Sequence, residues 1–229
     1  MSWQKFQSSQ IPWSGSSQSR ERIIATAPSV LRQRSVVGDE ELSVEAEGGV
    51  LLIPTSGVLA LADGTVLNAG DLMWIPAGKG YSGQCRDSLM LYELHLPVPL
   101  GPAEPCFMAQ STFEWQSFDD PAGRPTQPVQ VLMEGELSIL RTRFVPEFTA
   151  GDHWHDFDTW YFITDGSMRF GEEGIYSAGD VRQVTGGYSY GPEEPGADGV
   201  EFVLVSVGGP VALHWADLEA PPHGALQVS

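Results

Sequence analysis

Residues 151–162 read GDHWHDFDTWYF and set His153 and His155 two positions apart. Side chains alternate along an extended strand, so the two imidazoles project from one face and address the same small ion or molecule. Two chemistries suit such a pair: coordination of a metal through the ring nitrogens, or proton transfer near neutral pH. The same alternation puts Phe157, Thr159 and Tyr161 on the histidine face, where they would line a cavity for a planar or apolar small molecule. It sends Trp154 and Trp160 outward onto a neighbouring element. Arg141 and Arg143 share one face of the approach strand and would clamp a substrate carboxylate if that face is inward.

Short strands must position these residues. From about Ile23 the chain runs as brief apolar segments broken by Gly, Pro and Asp, among them GVLLIP, GVLALADG, GDLMWIPAG and LMLYELHL. These are strand-and-turn signals, and no amphipathic helix of useful length interrupts them. Residues 97–128 are rich in proline and read as a connection with a short helix in it. Beyond it the texture returns in ELSILRTRFVPEF, TWYFITDGSMRFGEEG and VEFVLVSVGG. The return has a fixed period: Gly57 to Gly166, Gly70 to Gly179 and Tyr81 to Tyr190 are each 109 positions apart. Three landmarks in one register predict a duplicated all-β domain. The expected organisation is an N-terminal arm over 1–21, a first domain over 22–100, a linker over 101–129, a second domain over 130–216 and a tail over 217–229. The arm carries Trp3, Phe6, Ile11 and Trp13, which suit it to lie across a neighbouring surface.

The second half resembles a cupin domain and the whole chain resembles a bicupin. Gly151, His153, His155 and Gly166 follow the order of the family's first motif, and Gly179 with Gly187 follows part of its second. In the first half GDLMWIPAGKGY keeps Pro76 and Gly78 of that second motif. The resemblance implies two tandem antiparallel jelly-roll barrels. It also implies one divalent metal, Fe, Mn, Ni or Zn, bound by the two histidines, a following Glu and a later His. The Glu place falls on Thr159 and the later His place on Tyr190, so His153 and His155 are the remaining metal candidates, with Tyr190, Asp158 or Glu147 as substitutes. In the first half the corresponding places are Val44, Ala46, Val50 and Tyr81, three of which have no donor atom, so that domain reads as degenerate. Homodimerisation is a further implication, because cupin sheets pair through exposed edges.

Composition narrows the partners. The chain has 12 Lys and Arg against 30 Asp and Glu, a formal net charge of −18, which argues against nucleic acid and anionic membranes. Cys85 and Cys106 form no metal-ligand spacing, no apolar run reaches membrane length, and the start of the chain lacks a secretory pattern. A cytoplasmic protein acting on a small-molecule ligand is expected. Two function classes remain open. One is an enzyme, dioxygenase- or isomerase-like with a metal at His153 and His155, or metal-free with a histidine as base and Tyr190 as acid. The other is a small-molecule-binding or scaffold bicupin without chemistry.

Overall fold

The computed structural model describes residues 3–7, 10–26, 28–117, 123–124 and 126–225. The chain divides into two compact units, Ser9–Thr112 and Met1–Ser8 with Phe113–Ser229. Strand β1 (Trp3–Phe6) belongs to the second. The first unit contains β2 (Ser14–Gly15), β3 (Ser19–Ala25), β4 (Val30–Val37), β5 (Glu41–Ala46), β6 (Val50–Leu61), β7 (Val66–Asn68), β8 (Leu72–Ile75), β9 (Lys79–His95) and β10 (Cys106–Met108). The second continues with β11 (Val129–Met133), β12 (Leu137–Phe144), β13 (His153–Trp154), β14 (Asp158–Phe170), β15 (Gly174–Ser177), β16 (Val181–Val184), β17 (Glu193–Val207) and β18 (His214–Trp215).

Among the described residues the first unit's sheet runs β10-β8-β6-β9-β4-β3-β2, with β5 on β9 and β7 on β6. The second runs β1-β16-β14-β17-β12-β11, with β15 on β14, and β13 pairs separately with β18. All these pairings are antiparallel, as the alternating apolar pattern requires of sheets with one buried face. Inside the first unit lie Leu42, Ala46, Leu59, Leu89 and Leu91; inside the second lie Tyr161, Ile163, Phe170, Phe202 and Leu204. Trp160 points the other way and stacks on Phe6 of the N-terminal segment, with ring centroids 6.1 Å apart. Within the proline-rich connection, Cys106–Met108 joins the first sheet because Met108 buries itself there, and Gln110–Thr112 forms a single 3₁₀ turn. No helix among the described residues is long and apolar enough to cross a membrane.

The period of 109 survives as strand register. Val44 pairs with Tyr81 and His153 with Tyr190; Val50 pairs with Ile75 and Thr159 with Val184. The long strands β6 and β14 bend at equivalent glycines, Gly57 (φ +79°) and Gly166 (φ +69°), where the ladder shifts register. A Cβ at Gly57 would run into the carbonyl oxygen of Ser88, and one at Gly166 into that of Gly199. Both the left-handed backbone and this close approach require glycine. Gly57→Ala and Gly166→Ala should each destabilise the chain by at least about 2 kcal/mol in chemical denaturation. A loss indistinguishable from that of an ordinary surface substitution would contradict the bend's role.

Candidate functional site

The second unit encloses a cavity of about 420 Å³, within the range of roughly 300–1,000 Å³ usual for small-molecule pockets. Strands β12 and β17 wall it with Leu140, Phe144, Phe202 and Leu204, while Val211 and Trp215 close it from the segment before and within β18. Among its polar lining residues, His153, His155, Tyr161 and Glu193 come from the neighbouring strands β13, β14 and β17 and the residue that follows β13 by one.

Backbone pairing places these residues. The His153 N–H donates to the Tyr190 carbonyl and the Tyr190 N–H to the His153 carbonyl, both at 2.9 Å. Ala150 and Glu193 make the same exchange at 3.0 and 2.9 Å, so one short ladder delivers a histidine and a carboxyl together. The Nδ1 of His153 lies 2.8 Å from the Gly151 carbonyl oxygen, and that of His155 lies 2.5 Å from the Ala212 carbonyl oxygen. A carbonyl oxygen only accepts, so both Nδ1 atoms carry the proton and both Nε2 atoms keep a lone pair. The rings stand 5.4 Å apart at 75°.

Tyr190 packs 4.6 Å from the His153 ring, and its hydroxyl shares a 2.6 Å hydrogen bond with that of Tyr161. Behind it lies Arg182 of β16, fully buried, with its guanidinium 4.2 Å from the centroids of both Tyr190 and Phe170. Its Nε and Nη2 donate to Glu173 at 2.7 and 2.5 Å, which neutralises the charge locally. Glu193 is 2% exposed. Its Oε1 has no hydrogen-bond partner and lies 3.7 Å from the His153 Nε2.

Burial governs the protonation states. Desolvation pushes His153 down to about 4, against the pull of the Gly151 carbonyl. It pushes His155 down to about 3, helped by the neighbouring His153. Both imidazoles are therefore neutral at physiological pH. Desolvation raises Glu193 to about 7, opposed by the Arg182 charge, so this carboxyl exchanges its proton near neutrality. Burial and the nearby Glu193 push the Tyr190 hydroxyl up, which keeps it protonated.

The residues expected from sequence are distributed unevenly. His153, His155 and Tyr161 line the cavity, and Tyr190 touches both histidine rings from behind the wall. Phe157 does not reach it: it precedes β14, where strand alternation is not yet established, and packs against Gly208 and Gly209. Thr159 is buried but absent from the lining, with its hydroxyl unpartnered. Arg143 is turned away. On β12 the wall residues are Leu140, Thr142 and Phe144, so Arg141 and Arg143 occupy the opposite face. There Arg143 pairs with Glu201 at 2.6 Å and lies over the Trp115 ring. Asp158 accepts from the Gly186 N–H at 3.0 Å, and Glu147 is exposed. Glu193 was not anticipated. The available signal was the doublet Glu193-Glu194, since alternation in a half-buried strand turns one of two adjacent acids inward.

A divalent metal is implied for this site by the cupin resemblance, and the donor set can be tested against it. Two neutral imidazoles suit such an ion, but a catalytic metal centre generally requires a third protein ligand. Thr159 does not line the cavity, and the Tyr190 hydroxyl is engaged with Tyr161. Among the described residues no three His, Cys, Asp or Glu side chains are gathered to hold a metal ion. The residues present do not fit the ion.

No protein-family model matches the sequence, and no curated protein matches it. Solved structures do match. A candidate dioxygenase from Nostoc punctiforme PCC 73102 superposes with a TM-score of 0.70 at 12% identity, over 90% of this chain and 83% of that one. An oxalate decarboxylase from Lactobacillus farciminis, in complex with formate, superposes at 0.69 and 11%, over 95% and 89%. A cupin 2 conserved barrel domain protein from Leptotrichia buccalis does so at 0.60 and 18%, over 89% and 96%. At these identities the likeness establishes the fold and nothing of the activity. The chain is a cupin-fold protein, all-β with antiparallel sheets.

The shifted groups give stability opposing pH dependences. Below about pH 6.5 the unfolded chain protonates histidines that the folded protein keeps neutral, so stability falls as pH drops from 6.5 toward 4. Glu193 acts in reverse: its folded value is raised, so its contribution is full below about 4.5 and is lost as pH rises through 7. Glu193→Gln should therefore gain on the parent by on the order of 3 kcal/mol between pH 4.5 and 8, read by denaturant unfolding in the presence of chelator. A difference that does not change with pH would refute the assignment.

Proposed function

We propose that this chain is a small-molecule enzyme of isomerase-like type, which moves a proton on its substrate in the second unit's cavity without a resident divalent metal. The observation that carries this reading is Glu193, a buried carboxyl raised to about 7 and set 3.7 Å from a neutral histidine in an apolar cavity. Displaced titrations next to a specific partner, inside a cleft, are what proton-transfer catalysis uses. Structural neighbours described as a candidate dioxygenase and an oxalate decarboxylase support an enzymatic use of such a cavity.

In this mechanism the ionised fraction of Glu193 takes a proton from a substrate carbon and returns it to an adjacent atom. The Nε2 lone pairs of His153 and His155 accept hydrogen bonds from a substrate hydroxyl and so fix the carbon against Glu193. When Tyr190 donates to Tyr161, the Tyr161 hydroxyl, otherwise a hydrogen-bond partner of Glu193, can donate to the substrate oxygen on which charge develops. Tyr190 and Arg182 act through Tyr161 as positioning residues. The apolar walls exclude water, which strengthens each of these interactions. The first unit serves as scaffold: Val44 and Ala46 stand where the second unit has its histidines.

Two measurements test the reading. Elemental analysis of untagged protein prepared without a metal column should find no stoichiometric Fe, Mn, Ni or Zn. Near-stoichiometric metal that vanishes in His153→Ala/His155→Ala would overturn the metal-free mechanism. Separately, incubation in D2O with enolisable hydroxy-carbonyl compounds should show protein-dependent deuterium uptake by NMR. Uptake should fall about 100-fold or more in Glu193→Gln, the usual scale for loss of a general base. Binding without exchange for every compound would leave a non-catalytic binding protein as the correct description.

A further inference from the structure

The internal duplication provides a reference against which the cavity's specificity can be read. In the second unit Leu204 pairs with Leu140 on one side and Tyr161 on the other. In the first unit Glu93 pairs with Arg32 on one side and Leu52 on the other, and Leu52 and Tyr161 share the period of 109. One step along, Arg34 pairs with Leu91 where Thr142 pairs with Phe202. The same sheet positions therefore carry Arg32, Arg34 and Glu93 in one unit and Leu140, Thr142 and Leu204 in the other. In the first unit they form an ion cluster: the fully buried Glu93 carboxylate meets Arg34 at 2.9 Å, Arg32 at 3.5 Å and the Tyr81 hydroxyl at 2.5 Å. In the second they form the cavity wall.

We infer that the second unit's cavity selects uncharged ligands with an apolar body and a polar group for the histidine cluster, and rejects compact dicarboxylates. The inference rests on the reading of this cavity as the functional site. Among the described residues no Lys or Arg lines the cavity, Arg124 lies over the Trp215 ring but is paired with Asp217, and the lining acids Glu134 and Glu193 oppose a second negative charge. Arg182 is sealed beneath Tyr190 and Phe170 with its charge met by Glu173, and Arg143 lies on the outer face of β12. A dianion entering this space would lose its hydration without a lining cation in direct contact to replace it. His153, His155, Tyr161 and Glu193 lie together in the lining and can meet one polar group of the ligand, while Leu140, Phe144, Phe202, Leu204 and Val211 receive its apolar body. Leu140 and Leu204 are the specificity-determining positions.

The test is equilibrium binding to the full chain, read by tryptophan emission, since Trp215 lies on the cavity, and by calorimetry. The probes are 1-naphthol, naphthalene and oxalate at pH 7.5. 1-Naphthol should bind saturably and at least tenfold more tightly than naphthalene, and oxalate should neither bind nor compete. Leu140→Arg/Leu204→Glu, which moves the first unit's ion pair into the second, should weaken 1-naphthol at least tenfold. Leu204→Phe, which fills the space without charge, should do the same and serves if the charged pair prevents folding. Oxalate competing with 1-naphthol, naphthalene matching it, or 1-naphthol binding unchanged in Leu204→Phe would each overturn the inference. None of these readouts needs turnover, so failure of the proton-transfer reading would appear separately, as binding without deuterium uptake.

Discussion

Two hydrogen bonds, from the Nδ1 atoms of His153 and His155 to the carbonyl oxygens of Gly151 and Ala212, place a proton on the far side of each ring and leave a lone pair facing the cavity. They also satisfy one nitrogen of each ring inside an apolar enclosure, where an unpaired polar group would cost about 1–3 kcal/mol. Burial forbids the charged form, so the pair is neutral and acts only as acceptor at that end. Every other feature of the site is arranged around this constraint. Protons must come from elsewhere, and the groups close enough to supply them are Glu193 and the Tyr161–Tyr190 hydroxyl pair.

The two units show how one sheet pattern accommodates opposite interiors. Each long central strand bends at a glycine whose missing Cβ lets the partner strand's carbonyl approach, and each keeps the same cross-strand partners on the inner side of that bend. Inside the first unit a buried carboxylate is answered by two arginines and a tyrosine, a dense arrangement in which the charges balance one another. Inside the second, leucines at the same positions remove the charges, and the space they leave is open to a ligand. Backbone architecture is shared, and the interior follows from which side chains are placed on it.

The second unit also separates its charges by depth. Arg182 is fully buried and held bidentately by Glu173, and its charge still favours the neutral histidines and the ionised form of Glu193. Its effect passes through the tyrosine rings stacked on it and the hydroxyl bond between them. The proton affinity of Glu193 is raised because burial strips its carboxyl of water, and the Arg182 charge offsets this only in part.

Much of this was legible in the residues themselves. The alternation of apolar residues, the glycine-punctuated hairpins and the spacing of 109 determined an all-β, duplicated chain, because strand period and turn chemistry are local properties. The HxH pair and Tyr161 were readable for the same reason: alternation within one strand decides which side chains share a face. Arg143 and Phe157 were not. The parity of β12 relative to the interior is set by its pairing with β17, and Phe157 lies just outside the strand whose alternation it was assumed to follow. Glu193 was hidden because it lies forty residues from His153 in sequence and is brought beside it only by the ladder joining residues 150–153 to 190–193. Its raised proton affinity is likewise a tertiary property, since no stretch of sequence records how completely water is excluded from a side chain. The sequence by itself determined which residues could face inward together; the tertiary structure decided which faces met, and with them the charge and chemistry of the cavity.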